Sequence, residues 1–151
     1  MTAMLLALLI AIVPSPQTGA AERVPYVVFV CEHGAAKSLI AAAYFNKLAA
    51  ERGLVALAAF RGVDPQNELS MRAVAGLKED GVPIPFSLPR AIAAIDVAEA
   101  SHIFAIGCAL PAAVTQSGKA ASWDDVPDDQ GYRPMRDAIV RHVRELIDTL
   151  R

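Results

Sequence analysis

Cysteine is scarce: Cys31 and Cys108 are the only two among 151 residues, too few for a disulfide scaffold yet enough for one bridge or one reactive pair. Neither sign of charge dominates, with 14 Lys+Arg against 16 Asp+Glu and a formal net charge of -2. The chain therefore carries no basic stripe, which argues against nucleic acid as a partner. It has no internal repeat and no low-complexity tract. The uninterrupted apolar run at 4–13, ten residues long, falls short of the roughly 20 that a bilayer-spanning helix needs. What is present is a globular composition. At 54% hydrophobic and 20% charged the chain is not disordered, and its length suits one domain with a sizeable core.

The first twenty residues read as separate from that domain. The apolar run is followed by Pro14, Ser15, Pro16 and the small-residue stretch Thr18-Gly19-Ala20-Ala21, and no charged side chain precedes residue 22. An apolar segment ahead of a small-residue cleavage site predicts a secretory signal peptide over 1–20, cut after Ala20 or Ala21. The mature domain would span 22–151, in the periplasm or outside the cell, with no stable membrane insertion after processing.

The mature chain reads as alternating strands and helices. Residues 24–31 are β-branched and aromatic, apolar on both faces, as a buried parallel strand requires. An Ala- and Leu-rich helix is expected over 38–52, stopped by Gly53 as its C′ residue. A second strand is expected over 54–60, a helix over 68–80 stopped by Gly81, and a proline-rich loop over 82–89. A short helix at 91–100 leads to a third buried strand at 101–107, and 108–132 reads mostly as loop. For a fourth strand the only candidate is 112–116. Ile139, Val140, Val143, Leu146, Ile147 and Leu150 form one helical stripe in the last segment, opposite Arg136, Arg141, Arg144 and Arg151. The pattern implies an α/β sandwich around a parallel sheet.

The chemistry gathers where the first strand meets its helix, in Cys31-Glu32-His33-Gly34-Ala35-Ala36-Lys37-Ser38. A loop there brings successive backbone N–H groups and a helix N-terminus around one point, an anion cradle. A cysteine at its mouth faces the positive end of the helix, which favours the thiolate. An anion cradle with an activated nucleophile is the apparatus for attacking a bound phosphate.

Strand, Cys, five residues, a basic residue, Ser and helix resembles the low-molecular-weight protein tyrosine phosphatases, and equally the thioredoxin-coupled arsenate reductases that share their fold. The likeness continues through residues 41–45, Phe60-Arg61-Gly62, the strand 103–107 that ends in Cys108, the acidic loop 123–128 and the final helix. It implies a three-layer sandwich with a four-stranded parallel sheet in the order 2-1-3-4. It also implies hydrolysis of a phosphomonoester, phosphotyrosine being one such substrate, through a cysteinyl-phosphate on Cys31. Glu32, His33, Gly34, Ala35, Ala36, Lys37 and Ser38 would hold the oxyanion. No cofactor and no metal are expected.

The departures from the family pattern set the alternatives. The loop has Lys37 where the family has Arg, exchanging a planar fork for a compact point charge. Arg61, at the end of the neighbouring strand in the implied order, is a candidate to reach the same anion. No Asp-Pro pair occurs in the acidic loop, which leaves Asp125 and Asp128 as candidate general acids, Asp125 slightly favoured. Cys108 ends a strand adjacent to the first in that order, at a spacing compatible with a Cys31–Cys108 bond. It supports a redox alternative of the arsenate-reductase type, in which a thiol reductant would finish the cycle. A third alternative is a non-catalytic oxyanion-binding domain. His33 reads as a contact to the anion or to Cys31, His102 and His142 as structural or solvated, and Trp123 as loop packing.

Overall fold

A computed structural model describes residues 23–151; the expected signal peptide lies outside the described residues. Strand β1 (Tyr26–Cys31) sits in the middle of the sheet, flanked by β2 (Leu57–Gly62) and β3 (His102–Ile106), with β4 (Ala120–Trp123) outside β3. All pairings are parallel and the order is β2-β1-β3-β4, as the resemblance implies. The helices are α1 (Lys37–Glu51), α2 (Met71–Glu79), α3 (Ala94–Glu99), α4 (Ala112–Thr115) and α5 (Tyr132–Thr149).

Side-chain alternation along β1 divides the core in two. Val27 and Phe29 face a large cluster built with α1, α2 and α5, whereas Val28 and Val30 face a smaller one built with Ala100, Ile103 and Val114. The sheet is thus the middle layer of three. Helix α1 is buried along most of its length because Ala41, Ala42, Ala43 and Ala49 let it fit between the sheet and α5. It ends at Gly53 (φ +68), in the left-handed region where a glycine carries no Cβ penalty. The stripe on α5 packs as expected, with Ile139, Val143, Leu146 and Ile147 buried.

The region after Cys108 departs from expectation. Residues 112–116 form the short helix α4, and the fourth strand lies later, at Ala120–Trp123. Its sequence, AASW, has no β-branched residue to announce it. Its strand conformation comes from pairing with β3, Ile106 opposite Trp123, and from Trp123 packing on Phe29 and Phe104 at ring separations of 5.3 and 4.9 Å. Such non-local pairing leaves no period in the local sequence.

Candidate active site

The loop between β1 and α1 is tied down through its carbonyls. Those of Cys31, Glu32, His33 and Ala35 accept hydrogen bonds from the N–H groups of Val63, Asp64, Gln66 and Ser70, at 3.1, 2.8, 3.2 and 3.0 Å. The amides of His33, Gly34, Ala35 and Ala36 donate to no backbone carbonyl among the described residues. No side chain caps α1, so its first N–H groups are open as well. Gly34 makes the tight path possible: φ is +61, and a Cβ there would lie 2.7 Å from the Gly62 nitrogen. The result is a concave row of unengaged amides at a helix N-terminus, a site built for an oxyanion.

Cys31 is buried at the base of this loop, and its Sγ lies 3.1 Å from the Ser38 Oγ, within hydrogen-bonding distance. The Lys37 side chain, 9% exposed, runs to the same place and its Nζ lies 2.6 Å from Asp128 Oδ1. Gly107 (φ +60) makes room for that ammonium, since a Cβ on it would lie 2.7 Å from Nζ. These groups border a cavity of about 650 Å³ that Glu32, His33, Ala35 and Ala36 also line.

Three residues expected to act on the anion are engaged by other partners, and two of them, Arg61 and Asp125, do not line the cavity. Arg61 pairs in register with Val30, so alternation turns it to the face of the sheet where α3 lies, away from α1. There its Nε and Nη2 donate to Asp96 at 2.7–3.0 Å, and both side chains are below a tenth exposed. The idea of a second anion-binding cation at Arg61 is therefore corrected: its fork is filled by Asp96. Asp125, slightly favoured as the acid, accepts from Arg141 and contacts His142, each at 2.6 Å, and is not among the residues that line the cavity. The Arg141 hydrogen bond above all, with that of His142, holds its carboxyl down at about 2. Asp125 is thus engaged by α5 and lies outside the cavity lining, whereas Asp128 lines the cavity. His33 hydrogen-bonds through Nδ1 to the Asp64 carbonyl at 3.1 Å, so its ring pins the loop rather than Cys31.

Cys108 and Cys31 are both free thiols. Cys108 is half-buried, with its Sγ 3.6 Å from the Val30 carbonyl. Burial, and secondarily the nearby Cys31, push its thiol above the ordinary range. Trp123, at the end of β4, and His142 on α5 stack at 4.7 Å, which gives both a role in packing α5 on the sheet.

The cavity also has a wall that the sequence did not reveal, made by Ile40, Gln66, Ser70, Arg72, Ala73, Tyr132 and Met135. An aromatic just after the acidic loop was the one available signal, for Tyr132; nothing local marks Arg72. Tyr132 is clamped by Asp80 on the end of α2. The Asp80 carboxylate accepts from Tyr132 and Tyr44 at 2.7 Å each and from the Arg136 guanidinium at 2.9 Å. Burial opposes ionisation of Asp80, but those three donors together outweigh it and hold its carboxyl below the ordinary value. Gly76 lets the ring in, since a Cβ there would lie 2.4 Å from Tyr132 ring atoms.

The sequence pattern described as "Low molecular weight phosphotyrosine protein phosphatase" matches residues 26–122. No curated protein matches the chain. Among solved structures, the thioredoxin-dependent arsenate reductase of Corynebacterium glutamicum is 23% identical with a TM-score of 0.71, over 86% of this chain and 63% of that one. This chain thus spans under two thirds of that reductase. The low molecular weight protein tyrosine phosphatase of T. tengcongensis is 21% identical with a TM-score of 0.71, over 83% of this chain and 99% of the other. An arginine phosphatase, YwlE, solved with a phosphorylated active-site serine, is 19% identical with a TM-score of 0.70, over 83% of this chain and 95% of the other. At these identities the three structures speak to the fold.

Proposed function

The chain belongs to the low molecular weight phosphotyrosine protein phosphatase family, and on that footing we propose that it hydrolyses phosphomonoesters through a cysteinyl-phosphate on Cys31. The carrying observation is that the Cys31 sulfur, 3.1 Å from the Ser38 hydroxyl, shares one cavity with the open loop amides and the Lys37–Asp128 pair.

In this reading the phosphate sits on the amides of 33–36, and its charge draws the Lys37 ammonium from Asp128. The Cys31 thiolate attacks phosphorus, the S–P bond forms, and the P–O bond to the leaving group breaks as that oxygen takes the Asp128 proton. A water then attacks the cysteinyl-phosphate, passing a proton to the Asp128 carboxylate. The S–P bond breaks and inorganic phosphate leaves. Lys37, a single point charge, stabilises the phosphoryl group without the bidentate grip of an arginine.

The redox alternative would use Cys108 to attack an adduct on Cys31, with an external thiol to restore the pair. The raised Cys108 thiol suits that attack poorly near neutral pH, since the thiolate is the nucleophile; the weight falls on hydrolysis. Export belongs to the same reading, supported by the apolar run and the small residues at 18–21, and N-terminal sequencing of the protein recovered from its native host tests it.

The function is tested by para-nitrophenyl phosphate hydrolysis with the reduced full chain. Turnover is expected, lost in Cys31→Ser, retained in Cys108→Ala, and lowered about a hundredfold or more in Asp128→Asn. Absence of turnover by the native protein overturns the reading, and dependence on Cys108 transfers it to the redox alternative.

A further inference from the structure

The basic side chains lining the cavity are unequal. Lys37 is buried and engaged by Asp128, and the His33 ring is bonded to a backbone carbonyl. Arg72, the second residue of α2, is exposed and makes no ion pair or side-chain hydrogen bond among the described residues, whereas its neighbours Arg133 and Arg136 are paired with Glu79 and Asp80. Its position is specific. Arg72 and Tyr132 border both the candidate catalytic cavity and an adjoining depression of about 440 Å³, so they form the ridge between the two. The Tyr132 ring is held by Asp80 and Gly76, has the Arg136 guanidinium carbon 5.7 Å from its centroid, and lines the cavity. The remaining carboxylates of the lining, Glu32 and Asp128, belong to the Cys31 loop and to the Lys37 pair.

We propose that Arg72 is a specificity-determining residue that selects phosphomonoesters whose aryl leaving group carries a second anionic group, with the ring against Tyr132 and the anion on Arg72. This rests on the phosphatase reading. A phosphate over Cys31 and a carboxylate at Arg72 would each meet a cation of the cavity lining, Lys37 and Arg72 respectively. A planar guanidinium suits a carboxylate better than an ammonium does.

Two probes isolate the second anion: the phosphate ester of 3-(4-hydroxyphenyl)propanoate and that of its amide, alike in ring and ester linkage. Both are titrated calorimetrically into the full-length Cys31→Ser protein, so that discrimination is read without turnover. The carboxylate probe is expected to bind about fivefold more tightly at low salt, as a partly exposed ion pair allows, with the advantage shrinking as salt is added. In Arg72→Gln on that background the two probes should reach parity, and Arg72→Lys should keep part of the preference. Equal affinities before substitution, a preference that survives Arg72→Gln, or binding of neither probe overturns the proposal. Turnover of the amide probe by the native protein reports on the phosphatase reading separately. Hydrolysis without preference removes only the role of Arg72, and preference without hydrolysis removes only the chemistry.

Discussion

At the scale of single residues, Lys37 and Gly107 act as one unit, because the missing Cβ of Gly107 is the space that the Lys37 ammonium fills. Gly107→Ala should displace the ammonium and weaken inhibition by inorganic phosphate about tenfold, the loss expected for one charged hydrogen bond. In a Lys37→Met background the same change should add nothing; an additive loss would mean that Gly107 acts by another route. Arg61 and Asp96 show the opposite use of charge, a buried pair that serves the fold. Removing either partner leaves the other uncompensated, so Asp96→Ala should cost about 3–5 kcal/mol in urea unfolding. Replacing both by apolar residues, Arg61→Met with Asp96→Leu, should recover most of that and leave phosphate affinity unchanged. A fall in phosphate affinity would return Arg61 to the anion site.

At the scale of elements, the cavity is shaped by how α2 meets α5. Asp80 at the end of α2 gathers Tyr44 from α1 with Tyr132 and Arg136 from α5, so one carboxylate joins three helices. Gly76 sits one turn earlier, beneath the Tyr132 ring. Gly76→Ala should push that ring aside and raise KM for para-nitrophenyl phosphate while inhibition by inorganic phosphate, which needs only the Cys31 loop, stays as it was. If both constants move together, the ring and the loop are not separable. Asp80→Asn should cost about 1–3 kcal/mol, since it weakens several hydrogen bonds to a charged acceptor.

At the scale of the whole molecule, the acid side of stability follows from Asp80 and Asp125, both held below the ordinary carboxylate value in the folded state. A depressed folded value means that the unfolded chain takes up protons first. The stabilisation is therefore present above the unfolded value near 3.8 and is lost as pH falls towards about 2 for Asp125. Thermal unfolding followed from pH 5 to 2 should show Tm falling through that window, and less steeply in Asp125→Asn. An unchanged slope would place the acid sensitivity elsewhere. No helix among the described residues is long and apolar enough to cross a membrane.

Much of this was legible in the sequence because the signals are local. The β-branched run at β1, glycine stops after α1 and α2, the stripe of α5 and the Cys-to-Ser spacing around the loop all depend on residues near one another, and each lies close to where its pattern placed it. Tertiary structure decided whatever depends on which side chain meets which. Asp125 and Asp128 lie three residues apart in one acidic loop, and only packing shows that α5 supplies Arg141 and His142 to the first while Lys37 reaches the second. Arg61 lies beside the anion loop in the sheet but on the opposite face, a fact of alternation and of the partner that α3 brings. Strand β4 and the Arg72–Tyr132 ridge likewise exist only once distant segments dock. Hydrophobic period and backbone stops are properties of short segments, whereas the partner of a charge is a property of the folded chain.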